Sequence, residues 1–597
     1  MLEMIGNETI EYETSIVNKR SAPGFVGKMP GSDACILANA KPETVIQDRT
    51  KNPMGGPSMN YRFHRSKQNM LKRESMCALF LFLSSCLVLS AFAQAQSYYV
   101  AKTGSDSNSG SASAPWLTIG HASLEATAGA TVYVGGGTYN ESVTFANSGT
   151  SSAPIVFNGQ GVAIVDGTGV SCCVSPSFAQ SNGFISTNTQ GLFNIGAASG
   201  VNYLTIEGFT IQNYKVSTAS KVPLGVLIVG SGTGINFLNN TVKNIQTTAG
   251  KRGNAYGIGV FGISATPLSV NVSGNTVTGC LTGESETTTY NGNVQNFVVS
   301  NNVIYDNDNI GMDAIGFEGV GPTGYDQAKN GDVYGNLIYN NSAKANPGEG
   351  NQYDQDGLYC DGCSDVTFER NTLYGNDLNI EAASETSGKV SSNVIIRNNL
   401  SYAANSCGIS VGGYAKSGTG GSTNITIVNN SLYDNDTQKT GSGEFQIQYR
   451  ATGILFENNI VYAGAQGLFL HGFVSGSGVT ANYNDYYTTS STTTFELNDK
   501  SYSSFASYQS ATGQDKNSVF ANPDYLTLPT CTSTVESGPP TPITTCSPTP
   551  NFDIPTSSPA ENTGNASLGP ADFGTVDFNG NPRVNSSGQI NIGAYEQ

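Results

Sequence analysis

The stretch VTFERNTLY, Val366 to Tyr374, alternates apolar and polar residues up to Asn371 and then closes on Leu373 and Tyr374. Seven more copies of this phrase surround it: INFLNNTVK (Ile235 to Lys243), VNVSGNTVT (Val270 to Thr278), FVVSNNVIY (Phe297 to Tyr305), DVYGNLIY (Asp332 to Tyr339), VIIRNNLSY (Val394 to Tyr402), ITIVNNSLY (Ile425 to Tyr433) and ILFENNIVY (Ile454 to Tyr462). The aligned asparagines, Asn240, Asn275, Asn302, Asn336, Asn371, Asn399, Asn430 and Asn459, recur at the period of a solenoid, roughly 25 to 35 residues.

Period-2 alternation, a turn signal at Asn, a second alternating run and Gly- or Ser-rich connections describe one coil of a right-handed parallel β-helix, an all-β solenoid. Asn suits the bend because its side chain bonds nearby backbone and tolerates unusual φ/ψ. Stacked on successive coils, these asparagines are expected to form an internal hydrogen-bonded ladder.

The chain has 597 residues, 71 of them Gly, with only 12% charged and a formal net charge of −17. Such an acidic surface argues against nucleic acid and anionic membranes as partners. It also disfavours a polyanionic substrate unless a cation such as Ca²⁺ intervenes. MLKRESMCALFLFLSSCLVLSAFAQAQ, from Met70, places Lys72 and Arg73 before an apolar run and ends on Ala91-Phe92-Ala93, the pattern of a secretory signal peptide. Residues 1–69 are then read as an overlong leader, 70–95 as the signal peptide, and the protein as secreted or on the cell surface. No later stretch is long and apolar enough to span a bilayer. Secretion permits disulfides, and Cys531 and Cys546 could close a Pro/Thr-rich loop. Cys360-x-x-Cys363 lacks a second pair or a His cluster, so it reads as structural.

Residues 96–200 are expected to hold an N-terminal cap and the first coils, with Trp116, Ile119 and Leu124 on an amphipathic covering segment. Residues 201–490 carry the repeats, and 491–597 the C-terminal coils or cap. The opening from Tyr98 to Phe145 resembles that of many secreted proteins of the pectate-lyase-like fold. SPAENTG (Ser558 to Gly564) with DFNGNPRVNSSGQINIGAYEQ (Asp577 to Gln597) resembles the C-terminal element called choice-of-anchor Q.

The second strands align as GIGVF (Gly257 to Phe261), GMDAI (Gly311 to Ile315), GLYCD (Gly357 to Asp361), NIEAA (Asn379 to Ala383), GISVG (Gly408 to Gly412), QIQYR (Gln446 to Arg450) and GLFLH (Gly467 to His471). Their second and fourth positions are mostly apolar and should face inward. The third and fifth positions then place Asp313, Tyr359, Asp361, Glu381, Ser410, Gln448, Arg450, Phe469 and His471 on one exposed outer face. Crowded carboxylates push one pKa up while another group stays ionised, which yields an acid and a nucleophile or base. The same cluster could serve Ca²⁺. Asp361 and Glu381, then Asp313 and Asp356, are the expected catalytic residues; Asp354, Tyr353, Tyr359, Gln448, Arg450 and His471 are expected to bind substrate.

At GMDAIGFEG (Gly311 to Gly319), DGLYCDGCSDVTFERN (Asp356 to Asn371) and NDLNIEAASE (Asn376 to Glu385) the chain resembles secreted β-helix proteins similar to glycoside hydrolase family 136, the lacto-N-biosidase type. That resemblance implies a retaining hydrolase using two aspartates among Asp313, Asp354, Asp356 and Asp361. The wider fold resembles pectate lyases, which use Ca²⁺ and a Lys or Arg base. The expected function is therefore glycoside hydrolysis on an oligo- or polysaccharide, with no cofactor required. A Ca²⁺-dependent polysaccharide lyase and a non-catalytic glycan-binding solenoid are the alternatives.

Overall fold

In the computed structural model, residues 96–180, 185–473, 478–535, 538 and 541–596 are described. The expected leader and signal peptide lie outside these residues. The apolar positions of the repeated phrase stack coil on coil, Val299 beside Val333, then Phe368, Ile396, Ile427 and Phe456, in parallel register. All six are essentially inaccessible to solvent, so the alternation in the sequence becomes the inner wall of the solenoid. The coils form a right-handed parallel β-helix with one sheet of 13 strands and another of 24 among the described residues.

The aligned asparagines form the expected ladder. Asn371 Oδ1 accepts from the Asn336 backbone N–H at 3.0 Å and from Asn336 Nδ2 at 2.9 Å, and Asn371 Nδ2 in turn donates to Asn399 Oδ1 at 3.0 Å and to the Val333 carbonyl at 3.0 Å. The pattern continues to Asn484, whose Nδ2 donates to Asp515 Oδ1 at 2.9 Å. One detail differs from expectation: the bend falls on the residue before each ladder Asn. Asn239, Gly274, Asn301, Gly335, Arg370, Asn398, Asn429 and Asn458 all have φ between 53° and 69°. Asn and Gly enter this left-handed region most cheaply, which explains the recurring Asn-Asn and Gly-Asn pairs.

In the 13-stranded sheet the strands that matter for function are β1 (Thr288–Gly292), β2 (Met312–Ile315), β3 (Asp356–Asp361), β4 (Leu378–Ala383), β5 (Cys407–Gly412), β6 (Phe445–Ile447) and β7 (Leu468–Gly472). Alternation fails at the start of β3. Leu358 is in the core, yet a Cβ on Gly357 would also point inward, meeting Asn376 Nδ2 at 2.7 Å, the Asn379 carbonyl oxygen at 2.8 Å and Leu373 Cδ2 at 2.9 Å. Two successive inward residues turn the preceding Asp356 to the outer face. Gly357→Ala should therefore cost about 1–3 kcal/mol through overpacking. A denaturant midpoint equal to that of the parent protein would contradict this account of the corner.

Helix α1 (Ile119–Glu125) covers the N-terminal end, with Thr118 Oγ1 accepting from the His121 N–H at 3.1 Å and Glu141 receiving the N–H groups of Ile119 and Gly120. Trp116 and Ile119 are buried as expected, whereas Leu124 is 73% exposed because it lies on the outer side of that helix. At the other end the strand Lys500–Tyr502 pairs antiparallel with Thr494–Leu497, and helix α2 (Phe505–Thr512) sets Tyr508 into the core. Beyond it Val519–Phe520 still stacks in parallel on Asp485 and Tyr486, and the chain then leaves the coils. It runs back along the outside of the solenoid, where Phe552, Ile554, Ile592 and Tyr595 pack with Leu400, Tyr402, Ile460 and Tyr462. Arg583, fully buried, bridges this segment by pairing with Glu596 at 2.8 Å and bonding Asn398 Oδ1 at 2.5 Å. Cys531 and Cys546 form a disulfide within its hairpin, and Cys360 and Cys363 form one inside the core.

Candidate active site

Register places Thr289, Asp313, Tyr359, Glu381, Ser410, Gln446, His471 and Glu496 in one row across β1 to β7 and the next strand. Asp361 stands two residues further along β3, and Asp356 reaches the face through the Gly357 corner. The sheet thus gathers Asp313, Asp356, Asp361 and Glu381 from three adjacent strands. Their exposures of 2%, 2%, 3% and 8% correct the expectation of an open acidic surface. Loops of unequal length leave the coils beside this sheet and shield it. One is braced internally, where Asp326 accepts from the N–H groups of Gly319 and Gly321, and Lys389 from a second loop sits 4.9 Å over the Phe317 ring of the first.

The local bonding differs from one acid to another. Glu381 Oε1 accepts from Ser410 Oγ at 2.7 Å and Gln448 Nε2 at 3.1 Å. Desolvation pushes Glu381 up to about 7, with Glu385 adding to the shift and those two hydrogen bonds opposing it. Asp361 Oδ1 accepts the Glu385 backbone N–H at 2.7 Å. Asp313 accepts the Asp361 N–H at 3.4 Å, and burial, followed by repulsion from Asp361, raises its pKa well above the usual carboxylate range. Asp356 is raised likewise by burial and then by Glu381, and its Oδ1 is buried without a partner.

The remaining expected site residues divide. Tyr359 is buried on the same face against Ile310 and Ala383. Gln448 bonds Glu381, though Gln446 and not Gln448 occupies the row with Ser410. Asp354 is exposed at the edge of this face, and neighbouring Tyr353 packs under Lys344 Nζ, 4.6 Å from its ring centroid. Arg450 is turned away from a substrate role, since Nε and both Nη atoms bond the carbonyls of Gly420, Lys416 and Ala415 at 2.6–2.9 Å. Phe469 faces the core, because an irregular register between Leu468 and Leu470 breaks the alternation there. His471 lines a depression of about 430 Å³ further along the face with Asp436, Lys439, Gln466 and Glu496, which does not include the four clustered acids.

Asn291 and Thr289 on β1 belong to the same face and escaped sequence reading, because TTYNG (Thr288 to Gly292) lacks the leading Gly used to align the other runs. Among the described residues no three His, Cys, Asp or Glu side chains converge as a metal-binding set, so no step is derived through Ca²⁺.

Buried carboxylates with raised pKa values bind protons more tightly folded than unfolded. Glu381, Asp308 and Asp377 at about 7, and Glu444 and Asp485 at about 8, are all raised first by desolvation. The stability linked to these protons is complete below the unfolded values near 4 and is lost as pH rises through 7 to 8. Thermal unfolding from about pH 5 to about pH 8.5 should show Tm falling by several degrees. A Tm that rises across this interval would contradict the burial assigned to these groups.

No protein-family model matches the chain. It is 35% identical over 429 residues to the uncharacterized protein YwoF of Bacillus subtilis (strain 168), covering 71% of this chain and 87% of that protein. Among solved structures it is similar to pectate lyase Pel9A, with a TM-score of 0.41 and 16% identity, covering 84% of this chain and 96% of the other. It is also similar to the GH136 lacto-N-biosidase of Eubacterium ramulus, with a TM-score of 0.35 and 13% identity, covering 76% and 71% respectively.

Proposed function

The chain belongs to the family of the Bacillus subtilis protein YwoF, and we propose that it is a secreted carbohydrate-active enzyme, a glycoside hydrolase working from the acid-lined face of its β-helix. The observation that carries this reading is the placement of Glu381 and Asp361 on adjacent strands of one buried, acid-lined face. Glu381 holds its proton up to about 7, near neutral pH, where a general acid is most effective. Asp361 accepts the Glu385 backbone N–H at 2.7 Å, a bond that fixes its carboxyl group on the same face.

Residues one coil and two positions apart lie about 8 Å from backbone to backbone, so a glycosidic bond fits between the two side chains. Glu381 gives its proton to the glycosidic oxygen as the bond to the anomeric carbon breaks. Asp361 attacks that carbon or takes a proton from the water that does. The hydroxyl of one water ends on the anomeric carbon, and its remaining proton restores the acid. Asp313 and Asp356, buried in the same cluster, strengthen the field that keeps a proton available.

A lyase would need a cationic base beside these acids. Arg450 is committed to loop carbonyls, and the principal neighbours shifting Asp313, Asp356 and Glu381 are acidic or neutral. Incubation with plant, bacterial and host glycans, read by mass spectrometry, tests the proposal. Products heavier by one water support hydrolysis. Products that together weigh the same as the substrate and carry an unsaturated uronate overturn it in favour of a lyase, and retention without cleavage leaves a binding solenoid.

A further inference from the structure

Three acceptor atoms on this face are buried and have no hydrogen-bond partner: Asn291 Oδ1, Asp356 Oδ1 and Gln448 Oε1. Their residues are 3%, 2% and 8% exposed and come from three different coils. Neighbouring acceptors fix which end of each amide is left over. Asn291 Nδ2 donates to Glu318 Oε2 at 2.8 Å, while Gln448 Nε2 donates to Glu381 Oε1 at 3.1 Å and Gln446 Oε1 at 3.2 Å. Gln446 Oε1 is an amide oxygen and only accepts, so the NH₂ end of Gln448 turns toward it, the NH₂ end of Asn291 turns toward Glu318, and the carbonyl ends remain. Each buried acceptor left without a donor costs about 1–3 kcal/mol.

Building on the glycan-active reading, we infer that this face selects a run of uncharged, hydroxyl-rich sugar units, whose hydroxyls donate in turn to Asn291, Asp356 and Gln448 along the stack of coils, and that it rejects uronic acids. Sugar hydroxyls supply the missing donors without adding charge. A uronate adds an acceptor and a negative charge beside Asp313, Asp361 and Glu381, where repulsion in a desolvated site is strongest. Protonating one of these acids supplies one donor, and the others still oppose a second anion. Thr289 Oγ1, also buried and without a partner, is a hydroxyl that serves as donor or acceptor. Tyr325 and Tyr414, 48% and 52% exposed on the connections that follow β2 and β5, offer apolar area for the sugar rings.

The test measures binding of the full chain and of Asp361→Asn at low temperature. The probes are neutral gluco-, xylo-, manno-, galacto- and N-acetylhexosamine oligosaccharides, set against oligogalacturonate, oligoalginate and glucuronate-bearing xylan fragments. The tightest ligand is expected to be uncharged and to bind at least about tenfold more tightly than any uronate. Gln448→Met, which removes one acceptor, should weaken it about 5- to 10-fold. A uronate as the tightest ligand, retention of no probe, or unchanged binding in a folded Gln448→Met protein would overturn the inference. If that variant does not fold, the panel on the parent protein decides alone. Neutral glycans bound but never cleaved would sink the hydrolase reading and leave this one standing.

Discussion

Glu381→Gln and Asp361→Asn should each lower glycan cleavage by about 10²- to 10⁴-fold, the range a positioned acid or base supplies. Neither change should unfold the protein. Glu381 is a desolvated carboxyl whose proton affinity is raised, so an amide of the same shape removes an unfavourable ionisation. At pH 8 the Tm of Glu381→Gln is expected to equal or exceed that of the parent. A structural role would give the opposite sign, lower Tm with activity lost in proportion. The pH profile supplies a second check: in the parent, activity should decline as pH rises past about 7, where Glu381 loses its proton, and the residual activity of Glu381→Gln should lack that limb. If both variants stay fully active, the acid pair is misassigned and Asp313 and Asp356 become the residues to change.

The repeated phrase made the β-helix legible because each of its symbols answers to a separate physical demand. Alternation supplies the wall, Asn371 and its equivalents supply the ladder, and the residue before each, Asn or Gly in every copy of the phrase but Arg370's, supplies the left-handed bend. The last of these was readable from the Asn-Asn and Gly-Asn pairs yet was assigned one residue too late. The acid-bearing face was legible as a set of columns, but its burial was not. Burial here depends on how loops of unequal length, such as those carrying Phe317 and Lys389, lie beside the sheet, and no local pattern encodes that. Phe469 was misplaced for a different reason: a register irregularity shifts the inward position, and an apolar residue on either side of it reads the same. The return of the last part of the C-terminal segment along the outside was not legible, because Phe552, Ile554 and Ile592 share no period with the repeats. Their partners, Tyr402 and Tyr462, belong to the phrase itself, where each Tyr faces outward and leaves room for a covering chain.

Asn399→Ala should be among the most damaging single changes available. Asn399 Oδ1 accepts from the Asn371 N–H at 2.9 Å and from Asn371 Nδ2 at 3.0 Å, while its Nδ2 donates to the Phe368 carbonyl at 2.9 Å and to Asn430 Oδ1 at 3.0 Å. Truncation leaves four groups short of a partner in a corner closed to water, at about 1–3 kcal/mol each, so roughly 4 kcal/mol or more is expected in total. Asn399→Asp should do little better, because it keeps the acceptors, loses both donations and adds a buried charge. Asn236→Ala is the control. Asn236 is half-buried on the outer side of its strand and donates to Thr205 Oγ1 at 3.2 Å, so its loss should fall within about 0.5 kcal/mol. A solenoid's stability is a sum of coils and the interfaces between neighbours, so a break at one corner weakens the coupling between the stacks on either side. Denaturant unfolding of Asn399→Ala should therefore begin earlier and separate into two transitions. A single transition at the parent midpoint would mean that the ladder follows from the fold without holding it together.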